Sequence, residues 1–231
     1  QVAQRVAFET HDTDAMNRYL DAALEYNGNS LSDLTSLLFN VKQNLSAEIA
    51  YNLLQKIPQS QRTSGSISYA EASILLDLNR YPEVFSVLQR IWKADGMTPE
   101  FSQEALHAFL SEFVSKDLDL APFLPIYKEF LATYPTNFDA QLDLQSLLYM
   151  LDKHSERHAQ LVRMTELFPR GHPELWNALF QNFISREKFD EVYKYFPQAI
   201  KQYPKEGSLY LFKSLAEETA GELERARETA L

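Results

Sequence analysis

The stretch PELWNALFQNFISREKFDEVYKYFPQAIKQYP, residues 173–204, decides the fold. Leu175, Trp176, Leu179, Phe180 and Phe183 fall at i, i+1, i+4, i+5 and i+8, the stripe of an amphipathic helix. Arg186, Glu187 and Lys188 interrupt it. Phe189, Val192, Phe196, Ala199 and Ile200 then make a second stripe, which stops at Tyr203-Pro204. Proline ends it because it has no amide proton and drives the residue before it out of the helical region. Two helices of roughly 13–15 residues form a hairpin, and neither helix can bury its stripe without a stacked neighbour.

Working outward, the aromatic–Pro mark recurs at Tyr134-Pro135 and Phe168-Pro169, so prolines stand at 135, 169 and 204, at almost equal intervals. The position held by Val192 is held elsewhere by Ala15, Ala50, Val84, Phe123, Arg157 and Ala226. The seven anchors follow one another in steps of 35, 34, 39, 34, 35 and 34. Four positions after each anchor stand Tyr19, Leu54, Leu88, Tyr127, Leu161, Phe196 and Ala230, all but the last large and apolar. The long step contains Ala94–Glu100, ADGMTPE, and we expect the extra length in that loop. The pattern predicts helices near 1–10, 12–26, 31–42, 45–58, 66–79, 82–94, 100–116, 120–133, 138–152, 155–168, 173–186, 188–202, 207–220 and 222–231. Thr63–Ser66, TSGS, reads as a loop between repeats.

The unit resembles the tetratricopeptide repeat, with its W-x2-L-G-x2-Y, A-x3-F and P positions. Trp176, Leu179, Phe180, Phe183, Val192, Phe196 and Pro204 stand at that spacing. Phe180 and Val192 replace small residues, which predicts a re-angled hairpin. The following unit restores small residues with Ser214, Gly221 and Ala226. The resemblance implies an all-α, right-handed α-α superhelix (solenoid) of about seven helix-turn-helix repeats, each of roughly 34–39 residues. These repeats make one domain over 1–231. It also implies a concave groove, lined by the first helix of each repeat, that binds a peptide or protein. Carried onto this chain, the groove positions are Tyr69, Ser73, Asp77, Glu112, Leu142, Ser146, Tyr149, Met150, Asn177 and Gln181. Family members that grip a terminal carboxylate use lysine and arginine there. Lys116 is the nearest such cation and a second is missing, so an apolar or extended peptide is the expected ligand.

Composition agrees with an interaction module. The chain of 231 residues has 45% hydrophobic residues and a mean hydropathy of −0.34, as a folded domain should. Its net charge of −10 disfavours nucleic acid, and no apolar run is long enough to insert in a membrane. With no cysteine there are no disulfides, thiolate nucleophiles or thiolate metal sites. His154, Glu156 and His158 put two imidazoles on one helix face but supply no third ligand. Glu217 with Glu218, Glu222 with Glu224, and Asp117 with Asp119 read as solvated carboxylates, not as an acid–base pair. No phosphate-binding loop is present, and we expect no catalytic residue, metal or cofactor in this stretch. Both ends read as boundaries within a longer protein. Similarity to bacterial cell-envelope tetratricopeptide proteins, carried by degenerate repeats and aromatic–Pro junctions, implies an extracytoplasmic setting. The main expectation is a protein-interaction scaffold. The alternative is a substrate-recruiting or regulatory helical domain of a larger enzyme or of an envelope assembly or export machine.

Overall fold

A computed structural model describes residues 13–27, 30–94, 96–170 and 172–230. The helix expected near 1–10 lies outside them. Among the described residues every regular element is an α-helix: α1 (Thr13–Asn27), α2 (Leu31–Asn44), α3 (Ala47–Lys56), α4 (Gln59–Arg62), α5 (Gly65–Asp77), α6 (Tyr81–Ile91), α7 (Pro99–Ser115), α8 (Phe123–Thr133), α9 (Phe138–Met150), α10 (His154–Leu167), α11 (Pro173–Ile184), α12 (Phe189–Gln202), α13 (Gly207–Thr219) and α14 (Leu223–Ala230). Apart from α4 they alternate as first and second helices of hairpins, an all-α array of helix-turn-helix repeats. No helix among the described residues is long and apolar enough to cross a membrane.

The hairpins share a beat. First and second helices start at 31 and 47, 65 and 81, 138 and 154, 173 and 189, and 207 and 223, the same interval each time. The hairpin of α7 and α8 breaks this, with starts at 99 and 123, half as far apart again. The extra length therefore lies in the 17-residue α7 and the turn after it. Our expectation for Ala94–Glu100 is corrected. From α6 to α7 the starts run from 81 to 99, the same interval as from 47 to 65 between α3 and α5. The physical reason is that Phe109, Leu110 and Phe113 stay buried to the end of α7, so continuing the helix buries more apolar surface than turning early.

Most inter-helix turns inside hairpins have one design. Asn79, Asp117, Asp152, Glu187 and Gly221 all take positive φ, between 53° and 81°. The next amide donates back across the turn: Arg80 to Leu75 O, Leu118 to Phe113 O, Lys153 to Leu148 O, Lys188 to Phe183 O and Glu222 to Glu217 O, at 2.8–3.0 Å. This left-handed cap satisfies carbonyls that a helix end would leave open. The exits of second helices also match. Tyr134, Phe168 and Tyr203, each before a proline, sit at φ of −123°, −123° and −132° with ψ of 66–67°. Four helix starts are capped by side chains: Ser30 accepts from the Asp33 amide, Ser46 from Ile49, Thr98 from Phe101 and Asn137 from Ala140.

Two expectations in the second hairpin are refined. The helix predicted over 45–58 stops at Lys56 before Ile57-Pro58, and Gln59–Arg62 make a separate turn. TSGS is no open loop, because Ser64 is buried and Gly65 begins α5. A Cβ on Gly65 would lie 2.1 Å from the Met97 side chain, so the small residue admits that methionine.

The described residues form two compact units, divided between Ala140 and Gln141. The first buries Leu34, Leu38, Leu53, Leu54, Ile67 and Ile74 as one cluster. It also buries Trp92, whose ring meets Phe130 edge-on at 5.9 Å. In the second, Trp176, Leu179, Phe180, Phe183, Val192 and Phe196 pack together. Phe180 and Val192, expected to re-angle the hairpin, are fully buried there, and Phe180 meets Phe212 edge-on at 6.1 Å. The Trp176 indole N–H donates to Gln202 Oε1 at 2.9 Å.

Candidate functional site

In the first unit, α5 and α7 bring together residues that the repeat resemblance assigned to a groove, and α2 adds Lys42 beside them. Tyr69, Ser73 and Asp77 lie on α5 at spacings of four, hence on one face. They line a cleft of about 180 Å³ with Lys42, Leu76, Ala108, Phe109 and Glu112. Four of the ten groove positions thus share one concavity. The aromatic wall is continuous: Tyr69 lies 5.5 Å from Phe109, 6.1 Å from Phe101 and 6.2 Å from Phe39, between ring centroids. Phe101 is 40% exposed at its rim.

Lys42 is the residue that the sequence reading missed. Its ammonium donates to Ser73 Oγ at 2.7 Å and pairs with Asp77 Oδ2 at 2.8 Å, with the side chain only 15% exposed. It also lies 5.9 Å from the centroid of the Phe39 ring. A signal existed: Lys42, Asp77 and Glu112 follow each other at equal intervals, one repeat apart. Stepping back one repeat from Asp77 would have found it. Lys116 instead sits 3.5 Å from Glu112 Oε2, one turn along α7, on the exposed surface.

The remaining groove positions lie in the second unit. Leu142, Ser146, Tyr149 and Met150 are on α9, where Tyr149 is 58% exposed and Met150 39%. The Arg157 guanidinium covers the Tyr149 ring at 4.7 Å and donates through Nε to Gln145 Oε1. On α11, Asn177 accepts from Ser208 Oγ at 2.6 Å, whereas Gln181 is exposed. One repeat beyond Asn177 and Gln181 stand Leu211 and Leu215 of α13, exposed by 64% and 41%. These leucines extend the same face and were also missed.

The other constellations take their places. Among the described residues no group of three or more His, Asp or Glu could hold a metal ion. His158 is half-buried against Phe183 at 5.3 Å, and its Nδ1 has no hydrogen-bond partner among the described residues. Burial pushes its pKa down, opposed by Glu191 and assisted by Lys188, Arg186 and Lys194. Glu217 is not the solvated carboxylate we expected: it is 2% exposed and pairs with Lys213 at 2.8 Å. Burial raises its pKa, but Lys213, Thr229 and Arg225 together outweigh that and hold it below the usual range. The physical reason is the α13 stripe, which turns position 217 toward α14. Glu218 and Glu224 are exposed, Glu222 pairs with Arg225, and Asp119 caps the Ala121 amide.

What decides the fold is the register: hairpins mostly of one length, most of them turned by one left-handed cap and three closed by an aromatic–Pro exit, present successive first-helix faces. The chain has the fold of an all-α array of helix-turn-helix repeats. No family model matches it, and no curated protein sequence matches it. Solved structures to which the repeat array is similar include a MamA protein, 18% identical at a TM-score of 0.49, with 73% of this chain and 88% of that chain covered. YrrB, described as a TPR protein with an unusual peptide-binding site, is 15% identical at 0.45, covering 82% and 95%. A thermophilic TPR protein of Thermus thermophilus is 17% identical at 0.39, covering 81% and 98%. The assignment of the repeat rests on the register within this chain and not on these likenesses.

Proposed function

We propose that this repeat array is a protein-interaction scaffold that binds an extended peptide or protein segment along its first helices. The observation that carries the reading is the cleft in which Tyr69, Ser73, Asp77 and Glu112 meet Lys42 and Phe109. Side chains of successive first helices put aromatic and polar groups together in one row. Such a row suits an extended chain, whose side chains enter pockets while its backbone lies across them. Rings of low conformational freedom supply contact area at small entropic cost, and the polar groups set register. The exposed Tyr149, Met150, Leu211 and Leu215 give the second unit an apolar face of similar kind.

Peptides selected from a displayed random library on the full chain test this reading by titration calorimetry. Tyr69→Ala should weaken binding at least tenfold, as truncating an aromatic anchor does, by roughly 1.4 kcal/mol or more. Ala108→Trp, which fills the cleft without removing a contact, should have the same effect. Undiminished binding by both variants removes the groove assignment.

A further inference from the structure

We propose that the cleft of the first unit takes a cationic side chain, arginine or lysine, carried by an extended peptide. The inference rests on the peptide-binding reading and names the chemistry of the ligand. The lining holds one ammonium, Lys42, against two carboxylates, Asp77 and Glu112. Lys42 is already engaged by Ser73 Oγ and Asp77 Oδ2 and is nearly buried. It is therefore not free to grip an incoming carboxylate, which would meet Asp77 and Glu112 as like charges.

An incoming cation meets the opposite conditions. Glu112 is 54% exposed in its side chain, and its contact with Lys116 is a 3.5 Å surface pair of the kind worth little in water. The rings of Tyr69 and Phe109 border the same space, and ring faces attract ammonium and guanidinium groups. Lys42 is an intramolecular instance of the arrangement: an ammonium near an aromatic ring and bonded to a carboxylate. The volume of about 180 Å³ is below the roughly 300–1,000 Å³ of small-molecule pockets and suits one side chain. A net charge of −10 on the whole chain also favours encounter with a basic segment.

The test uses the full chain and pools of acetylated, amidated decapeptides that differ only in a fixed central residue: arginine, lysine, citrulline, glutamate or leucine. Citrulline keeps the shape of arginine and removes its charge. The arginine and lysine pools should be retained about tenfold better than the citrulline pool, the size expected of one cation–π contact plus one charged hydrogen bond. That preference should fall several-fold in Glu112→Gln, an exposed change that leaves the Lys42–Asp77 pair intact, and fall further in Asp77→Asn. It should also shrink as salt is raised. Equal retention of the arginine and citrulline pools overturns the inference, as does a preference unchanged in both variants. If all pools bind alike and Tyr69→Ala abolishes that binding, the groove stands and only the cationic specificity falls. If no pool binds, or Tyr69→Ala changes nothing, both fall.

Discussion

Glu187 shows what one backbone angle asks of a residue. It holds φ of 55° at a turn where Gly221, one repeat later, holds 81°. A side chain in the left-handed region costs roughly 1–2 kcal/mol, whereas glycine carries an entropic penalty of about 0.5–1 kcal/mol instead. Gly221→Ala should therefore destabilise the chain by about 1 kcal/mol, and Glu187→Gly should be neutral or stabilising by up to about 1 kcal/mol. Urea midpoints check both, and a stabilised Gly221→Ala would show that the turn has rearranged. The role of Gly221 could be read from sequence, because glycine marks a turn. That of Glu187 could not, since nothing in a glutamate announces positive φ. His158 gives a pH dependence. Burial lowers its pKa from the free value of 6.5, so the folded state binds its proton less readily than the unfolded one. Its contribution is fully present above about pH 6.5 and is lost as pH falls through the lowered value. Wild type should lose stability between pH 7.5 and 5.5 more steeply than His158→Gln, as denaturant midpoints at the two pH values will show. Equal slopes would place the titration elsewhere.

At the scale of the helix, periodicity located nearly every element, since a stripe of apolar residues must be buried whatever its neighbours are. The anchors Ala50, Val84, Phe123 and Val192 are all fully buried, as their spacing predicts. Where the sequence reading erred, local chemistry was overruled by packing. Ala94–Glu100 carries turn residues, yet the added length went into α7, whose apolar stripe continues one turn further than its neighbours'. The cleft was legible only in part. Asp77 and Glu112 stood out as non-core polar residues of first helices, whereas Lys42 did not, because its partners lie most of a repeat or more away along the chain. The start of α7 depends on Thr98, whose hydroxyl accepts from the Phe101 amide at 3.2 Å. Thr98→Ala should cost about 1 kcal/mol. Thr98→Asp should restore most of it, and failure of that rescue would mean that the cap itself is not what matters.

On the scale of the molecule, stability is a sum of hairpins and the interfaces between neighbours. The buried clusters follow this division, one within residues 20–78 and another within 161–216. Trp176→Ala removes the largest side chain of the second cluster and should cost roughly 3–5 kcal/mol. Hydrogen exchange should quicken in residues 161–216 while 20–78 keep their protection, because each repeat leans on its neighbours and not on the whole. Uniform loss of protection would mean that the chain unfolds as one block.

The two tryptophans, Trp92 in one unit and Trp176 in the other, turn the molecule into its own two-colour instrument. Trp92 is 5% exposed and its indole N–H has no partner among the described residues, so its emission should lie to the blue of a solvated indole. Trp176 donates to Gln202, which should stabilise its excited dipole and move its emission toward the red of Trp92. With one indole replaced by phenylalanine, the fluorescence of the other becomes a private signal for a single unit. Melting around Phe130 and melting around Phe196 can then be watched separately in one cuvette, without adding a dye.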